Sequence, residues 1–277
     1  CIRHSHLERT GQMKKILIIG CGAMGGAILS GCLAKGLWKK EEVYVKEHSM
    51  EASLEKARSY GVQASSDGSE AADADMVLLA VKPDVVPFAL KEISRYHPSR
   101  VLSIAAAVTL ETLEGLLPEG TEVIRVMPNT PASVGAGMAA IAPGKNVSPR
   151  FLKEGEEVFS ALGREAVVTE RQLDELGALS GAGPGYAFVI IDALADAGVL
   201  VGLPRKLAIE AAAQTLYGAA KMVLETGMHP AVLRDQVTSP GGTTIAGIYA
   251  MERSGLRAAL MDGVKACLAK SDGMSKK

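Results

Sequence analysis

Hydrophobic positions along the first part of the chain form short apolar runs separated by stretches with helical spacing. The run Ile16–Ile19 is entirely apolar, which is typical of a strand buried on both faces of a parallel sheet. Further strands are predicted at residues 43–45, 76–80, 101–104, 122–126 and 166–168, with helices near 49–60, 85–95, 110–116 and 149–162 between them. This alternation predicts βαβ units and a parallel sheet.

The pattern changes beyond Arg171, where the strand signal disappears. Residues 186–201 and 204–226 are rich in Ala, Leu and Gly and are apolar nearly all round, as are helices inside a bundle or a subunit interface. We expect so apolar a helical domain to complete its core by dimerising.

A glycine-rich turn directly follows the first predicted strand. The segment from Gly20 to Gly25 reads G-x-G-x-x-G and opens a helix. Gly20 allows a tight turn, Gly22 lets the backbone approach a pyrophosphate, and Gly25 permits close packing of helix on strand. The helix N-terminus at Ala23 and Met24 favours phosphate as well. We therefore predict a dinucleotide site, with a purely structural turn as the alternative.

These patterns together predict a two-domain α/β protein. An α/β Rossmann-type dinucleotide-binding domain is expected over residues 13–170, followed by an all-α dimerisation domain over residues 171–277. Residues 1–12 are polar and precede Met13, so we interpret them as an upstream extension or an expression-vector remnant.

Polar residues follow the second predicted strand, where the adenosine ribose of a dinucleotide would lie. Glu47 would accept hydrogen bonds from a ribose 2′-hydroxyl and repel a 2′-phosphate, whereas Lys46, His48 and Ser49 are suited to receive that phosphate. This evidence is mixed, so both NADPH and NADH are expected cofactors. A solvated, charged strand end is the alternative.

Two further strand ends supply candidate cofactor contacts. The first is Ala80-Val81-Lys82-Pro83, in which Pro83 restricts Lys82 to extended geometry at the ligand crevice. The second is Asn129, whose amide would suit the neighbourhood of a nicotinamide carboxamide. A solvated lysine and a plain turn are the respective alternatives.

A second glycine-rich segment lies in the predicted helical domain. The sequence Ser239-Pro240-Gly241-Gly242-Thr243-Thr244 leads into a helix and combines successive backbone N–H groups with three hydroxyls. The helix dipole adds a preference for negative charge. The segment therefore predicts a site for a small carboxylate, with a plain helix cap as the alternative.

Composition narrows the function classes. Lys plus Arg total 30 against 31 for Asp plus Glu, so bulk charge does not favour nucleic acid. The four cysteines form no C-x-x-C pair, and no run of about 18 apolar residues predicts a transmembrane helix. We expect a cytoplasmic enzyme that acts on a small molecule, without a metal, a membrane or a nucleic-acid partner.

The motifs resemble those of the pyrroline-5-carboxylate reductase family. The resemblance extends from Met13 to about Lys270 and is most specific between Asp235 and Ile245. It implies an oxidoreductase that reduces the cyclic imine 1-pyrroline-5-carboxylate to L-proline, the last step of proline biosynthesis, with hydride from NADPH or NADH. It also implies homodimers that are often assembled into decamers, with the active site near the dimer interface.

The resemblance assigns roles to individual residues. The loop of Ser239, Pro240, Gly241, Gly242 and Thr243 would hold the substrate carboxylate. Thr244 would hydrogen-bond the ring nitrogen and is the expected catalytic residue, since an imine accepts hydride poorly until it is protonated. Ala105 and Ala106 join the expected cofactor-binding residues.

Three positions depart from the pattern of the family. Glu47-His48 stands where many relatives carry Asn-Arg, Ala107 stands where glycine is common, and Gly68 stands where asparagine is frequent. The first departure leaves the choice between NADPH and NADH open.

Two other functions fit part of the sequence. A β-hydroxyacid dehydrogenase would need a lysine on a central helix of the second domain, for which Lys206 and Lys221 are the candidates, and it would leave the second glycine-rich segment unexplained. A non-catalytic sensor would bind NAD(P) and signal through its dimer without turnover.

Overall fold

The computed structural model describes residues 15–275, so the predicted extension at residues 1–12 lies outside the described part of the chain. The described chain forms two compact units, one of residues 15–181 with 268–275 and one of residues 182–267. The domain limit near Glu170, which rests on the change in sequence pattern, stays a prediction.

The described part of the first unit is built on one sheet with the strand order β3-β2-β1-β4-β5-β6-β7-β8. The strands are Ile16–Ile19 (β1), Val43–Lys46 (β2), Gln63–Ala64 (β3), Met76–Leu79 (β4), Arg100–Ser103 (β5), Glu122–Met127 (β6), Gly137–Pro143 (β7) and Gly163–Val167 (β8). The strand order changes direction at β1: β2 and β3 lie on one side of it, and β4 and the later strands lie on the other. Ligands bind in α/β sheets at the carboxyl ends of strands beside such a reversal.

Strand β7 was not predicted, and it changes the sheet. It pairs antiparallel with β6, whereas the other neighbouring strands in the described sheet are parallel. The predicted parallel sheet is confirmed for β1 to β6, while β7 and β8 run in the opposite direction. The connection from β6 holds only the short 3-10 helix Thr130–Val134, which is too short for a crossover to a parallel strand. The strand itself is rich in alanine, a residue with weak β preference.

Helices cover both faces of this sheet. They are Ala23–Ala34 (α1), Met50–Tyr60 (α2), Val86–Ser94 (α3), Leu110–Leu116 (α4), Pro149–Ser160 (α5) and Glu170–Leu176 (α6). Ser49, Thr109 and Ser148 cap α2, α4 and α5 by accepting a backbone N–H. Helix α6 is held to β6 because Arg125, only 1% exposed, forms ion pairs with Glu170 and Asp174 at 2.8 and 2.7 Å. The α/β Rossmann-type prediction is confirmed.

The rest of the described chain is helical, which confirms the predicted all-α second part. After a π-helical turn at Gly177–Gly181, the helices are Gly183–Leu200 (α7), Arg205–Thr226 (α8), Pro230–Gln236 (α9), Thr243–Arg253 (α10) and Leu256–Ser275 (α11). Helices α7 and α8 pack closely through buried Ala195, Ala208 and Ala212. Most large apolar side chains of residues 182–267 are exposed within the single chain.

The apolar stretch around α7 corrects the expectation that no segment of the chain has the length and composition of a membrane-spanning helix. Residues Glu170–Leu200 form a helical stretch that is long and apolar enough to cross a membrane, judged by length and composition alone. No uninterrupted apolar run revealed it, because glycine, serine and aspartate are scattered through the stretch. Helices buried in a protein interface have the same composition. The expected absence of a membrane partner stays a prediction.

Candidate functional site

The glycine-rich turn joins the carboxyl ends of three neighbouring strands. Gly20 follows β1 with φ +85°, and a Cβ there would lie 2.8 Å from the carbonyl oxygen of Ala80, just after β4. The backbone N–H of Gly20 donates to the carbonyl oxygen of Lys46, the last residue of β2, at 2.9 Å. Glycine is therefore required at this position both by its backbone conformation and by its packing.

The next two glycines of the motif differ in their surroundings. A Cβ at Gly22 would meet nothing within 4 Å, so the backbone there is open to approach by a ligand. A Cβ at Gly25 would lie 2.5 Å from the carbonyl oxygen of Gly20. Helix α1 begins after Gly22 with no side-chain cap and no acidic residue in its first turn. These features fit a pyrophosphate at the helix N-terminus.

A cavity of about 420 Å³ opens beside this turn. Seven predicted cofactor residues contribute to its lining, namely Gly20, Gly22, Glu47, His48, Ala80, Val81 and Lys82. The lining also includes residues that the motifs did not predict, namely Ile19, Val85, Phe88, Ala89 and Glu92. Phe88 and Val85 belong to the segment that starts at Pro83, so the helical pattern directly after Lys82-Pro83 was the available signal.

Glu47 is bonded to the turn itself. Its Oε1 accepts the backbone N–H of Cys21 at 2.5 Å, and its own N–H donates to Ser53 Oγ at 2.9 Å. The Cys21 side chain is buried, and this burial, with the nearby charge of Glu47, raises its pKa to about 11. The Cys21 thiol therefore stays protonated near neutral pH and offers no nucleophile.

Eight predicted cofactor residues are not among those that line the cavity: Ala23, Met24, Gly25, Ser49, Pro83, Ala105, Ala106 and Asn129. Gly25 lies behind the turn against Gly20, and Ser49 Oγ accepts the Ala52 N–H as the cap of α2. Ala105 and Ala106 follow β5, the strand next to β4. The cofactor roles of these residues stay predictions.

Asn129 has both ends of its amide engaged inside the protein. Its Nδ2 donates to the carbonyl oxygen of Ser180 at 2.9 Å, and its Oδ1 accepts the N–H of Met138 at 2.9 Å. The side chain thus ties the end of β6 to the start of β7 and to the π-helical turn. These two bonds fix the side chain inside the protein, and its predicted role beside a nicotinamide stays a prediction.

Ala107 adopts a backbone conformation that favours glycine. Its φ is +58°, and among the described non-glycine residues only His97 also has a positive φ. A left-handed conformation costs a residue with a Cβ about 1–2 kcal/mol. Ala107 therefore carries local backbone strain.

We expect Ala107→Gly to raise the free energy of unfolding by about 0.5–1 kcal/mol, because relief of this strain exceeds the extra entropy of glycine in the unfolded chain. Urea unfolding measures the change. Ala106→Gly, at a position without positive φ, should instead lower stability by a similar amount. Equal effects of both substitutions would contradict strain at Ala107.

The second glycine-rich segment forms the N-terminus of α10. The N–H of Gly242 donates to the carbonyl oxygen of Ser239 at 3.0 Å, and Gly241 has φ +70°. Gly242 caps the helix without a side-chain hydrogen bond. Within the described chain, the hydroxyls of Thr243 and Thr244 are exposed and have no hydrogen-bond partner. The segment thus presents backbone N–H groups and free hydroxyls at a helix N-terminus, which suits a carboxylate.

Residues 15–275 contain no group of three or more His, Cys, Asp or Glu side chains arranged to hold a metal ion.

Comparison with known proteins relates both segments to one family. A family model described as pyrroline-5-carboxylate reductase dimerisation matches residues 170–274, and one described as NADP oxidoreductase, coenzyme F420-dependent, matches residues 15–107. The pyrroline-5-carboxylate reductase of Methanosarcina acetivorans is 43% identical over 96% of this chain and 100% of its own length. The Escherichia coli K12 enzyme is 42% identical over 95% and 99%.

Solved structures agree with these relatives. A pyrroline-5-carboxylate reductase from Coxiella burnetii matches with a TM-score of 0.90 and 32% identity, covering 96% of this chain and 100% of that one. The Plasmodium falciparum pyrroline carboxylate reductase, solved with NADP bound, matches with a TM-score of 0.85 and 30% identity over the same shares. The chain therefore belongs to the pyrroline-5-carboxylate reductase family of NAD(P)H-dependent oxidoreductases.

Proposed function

We propose that this chain reduces 1-pyrroline-5-carboxylate to L-proline, using the glycine-rich turn for the cofactor and the loop before α10 for the substrate. One observation carries the proposal: the chain matches reductases of this name over nearly its whole length. Reduction adds a hydride to the imine carbon and a proton to the imine nitrogen.

The cofactor site is proposed to be the cavity beside Gly20 and Gly22. The open backbone at Gly22 and the uncapped start of α1 would take the pyrophosphate. Glu47 and His48 would face the adenosine ribose, and the exposed Lys82 would add positive charge near the phosphates. When bound, NADPH or NADH supplies the hydride. The remaining predicted residues would support this site from behind.

The substrate site is proposed at residues 239–244. Backbone N–H groups in the first turn of α10, with the Ser239 and Thr243 hydroxyls, would bind the carboxylate at the helix N-terminus. The Thr244 hydroxyl would orient the ring nitrogen and assist its protonation. In this arrangement positioning, rather than a strong acid, contributes most of the catalysis.

A homodimer is proposed to form through the helical unit. Phe188 and Val189 on α7 are 64% and 70% exposed within one chain, and the dimerisation family model covers this helix. Burial of such side chains drives association. Further contacts between dimers would allow them to assemble into decamers. A cytoplasmic location fits the free thiols of Cys21 and Cys32, and fractionation of the source cells tests it.

We expect Val189→Glu to shift the assembly to monomers, because a charge would replace apolar surface buried at the interface. Light scattering coupled to size exclusion measures the mass. Gln63→Glu, on an exposed position of β3, is the control and should leave the mass unchanged. An unaltered oligomer in the Val189 variant would exclude α7 from the interface.

The activity is tested by following NADPH and NADH oxidation in parallel, with and without added pyrroline-5-carboxylate, and identifying the product. Proline formation is expected and would rank the two cofactors. Cofactor binding without turnover would instead support the sensor, and turnover of β-hydroxyacids alone would support the dehydrogenase.

A further inference from the structure

One wall of the cofactor cavity contains an ion pair that the proposed function does not use. Lys46, the last residue of β2, has a side chain that is only 9% exposed, and its Nζ lies 2.9 Å from Oε2 of Glu92 on α3. Both residues line the cavity, and the Glu92 side chain is 39% exposed. The Lys46 charge is therefore paired with the Glu92 carboxylate, which also lines the cavity.

The stem of Lys46 lies against a glycine. A Cβ at Gly68 would stand 3.1 Å from Cδ of Lys46 and 3.1 Å from Cγ2 of Ile93, closer than ordinary contact. Gly68 also has φ +77°. The missing side chain at Gly68 thus leaves the space through which Lys46 reaches Glu92.

The pair lies at the ribose end of the proposed cofactor site. The carbonyl oxygen of Lys46 accepts the Gly20 N–H, and Glu47, the next residue, bonds to the Cys21 N–H. In this fold the residues at the end of the second strand contact the adenosine ribose. The charged side chains that line the cavity are Lys46, Lys82, Glu47 and Glu92, with His48 beside them.

We propose that the Lys46–Glu92 pair sets the discrimination between a 2′-phosphate and a 2′-hydroxyl on the cofactor ribose, an inference that rests on the proposed cofactor site. A 2′-phosphate gains Lys46 only by displacing Glu92 from it. A ribose with a free 2′-hydroxyl needs no such exchange. Glu92 thereby weakens a phosphate site that Lys46 would otherwise provide.

Calorimetry of the intact enzyme with two ribose probes, 2′,5′-ADP and 5′-AMP, tests this without imine substrate or turnover. Glu92→Gln is expected to tighten 2′,5′-ADP binding by about tenfold, because a hydrogen bond to a freed charge is gained. Binding of 5′-AMP should change by no more than about twofold. Lys46→Met is expected to weaken 2′,5′-ADP binding by about tenfold while sparing 5′-AMP.

The double variant separates a specific pair from a general charge effect. With Lys46→Met in place, adding Glu92→Gln should change 2′,5′-ADP affinity by no more than about twofold. Lys91→Met, on the exposed side of α3, makes the same chemical change as a control and should leave both affinities as they are. Thermal unfolding checks that each variant is folded.

Three outcomes would overturn the inference. The first is that Glu92→Gln tightens 2′,5′-ADP binding equally with and without Lys46. The second is that the affinities for 2′,5′-ADP and 5′-AMP change in parallel. The third is that neither single substitution changes the 2′,5′-ADP affinity. Failure of both nucleotides to bind the native enzyme would reject the cofactor site itself. Normal nucleotide discrimination in an enzyme that forms no proline would reject the proposed reaction and leave the ion-pair inference standing.

Discussion

Thr244→Ala is expected to lower kcat for imine reduction by roughly tenfold to a thousandfold, the scale of one positioned proton-assisting group. The Thr244 hydroxyl is exposed at the N-terminus of α10 and has no hydrogen-bond partner in the described chain. Its loss therefore breaks no internal contact. The effect should appear in turnover, whereas cofactor affinity should stay unchanged because the cofactor cavity lies among residues of the first unit.

Steady-state kinetics with saturating cofactor measure this effect, and two further variants define its cause. Thr244→Ser keeps the hydroxyl and should recover most of the turnover. Thr215→Ala removes a threonine whose Oγ1 donates only to the carbonyl oxygen of Ala211 on α8, so native kinetics are expected. A folded Thr244→Ala enzyme with native kcat would remove Thr244 from the mechanism.

The parts of the fold that sequence predicts well are those fixed by local chemistry. A short, continuous apolar run such as Ile16–Ile19 is typical of a strand buried on both faces of a sheet, and all four residues are buried. The turn after it needs glycine at Gly20 for backbone reasons that do not depend on distant residues. Strand, turn and helix could therefore be identified together.

The parts that sequence could not predict depend on distant partners. Strand β7 is a strand because β6 and β8 border it, and its alanines carry little β preference of their own. Asn129 has the residue type of a cofactor ligand, yet its amide bonds to Met138 and Ser180. Only the folded chain reveals those partners.

The cofactor cavity illustrates the same limit. Its glycine-rich side was identified from a motif, whereas Phe88 and Glu92 enter from α3, far along the chain. Nothing in the spacing of α3 marks which of its exposed residues faces the turn. The charge balance around the ribose, and hence the choice of cofactor, could not be derived from Glu47 and His48 alone.

At the glycine-rich turn, Gly22→Ala is expected to weaken cofactor binding, whereas Gly25→Ala is expected to destabilise the fold. A Cβ at Gly22 enters open space, so the Gly22→Ala protein should have the same unfolding temperature as the native protein. Its methyl group would nevertheless stand where the backbone approaches the pyrophosphate, and we expect affinity for NADPH and NADH to fall by about ten- to a hundredfold. Fluorescence titration with each cofactor measures the loss.

Gly25→Ala, by contrast, is expected to lower the free energy of unfolding by about 1–3 kcal/mol, because its Cβ would press on the Gly20 carbonyl oxygen, 2.5 Å away. Urea unfolding measures this loss. Gly115→Ala on α4, where a Cβ also meets nothing within 4 Å, is the control. It should lower neither the cofactor affinity nor the free energy of unfolding. Native cofactor affinity in a folded Gly22→Ala protein would mean that the pyrophosphate does not lie against this turn, because a methyl group there would then cost no binding energy.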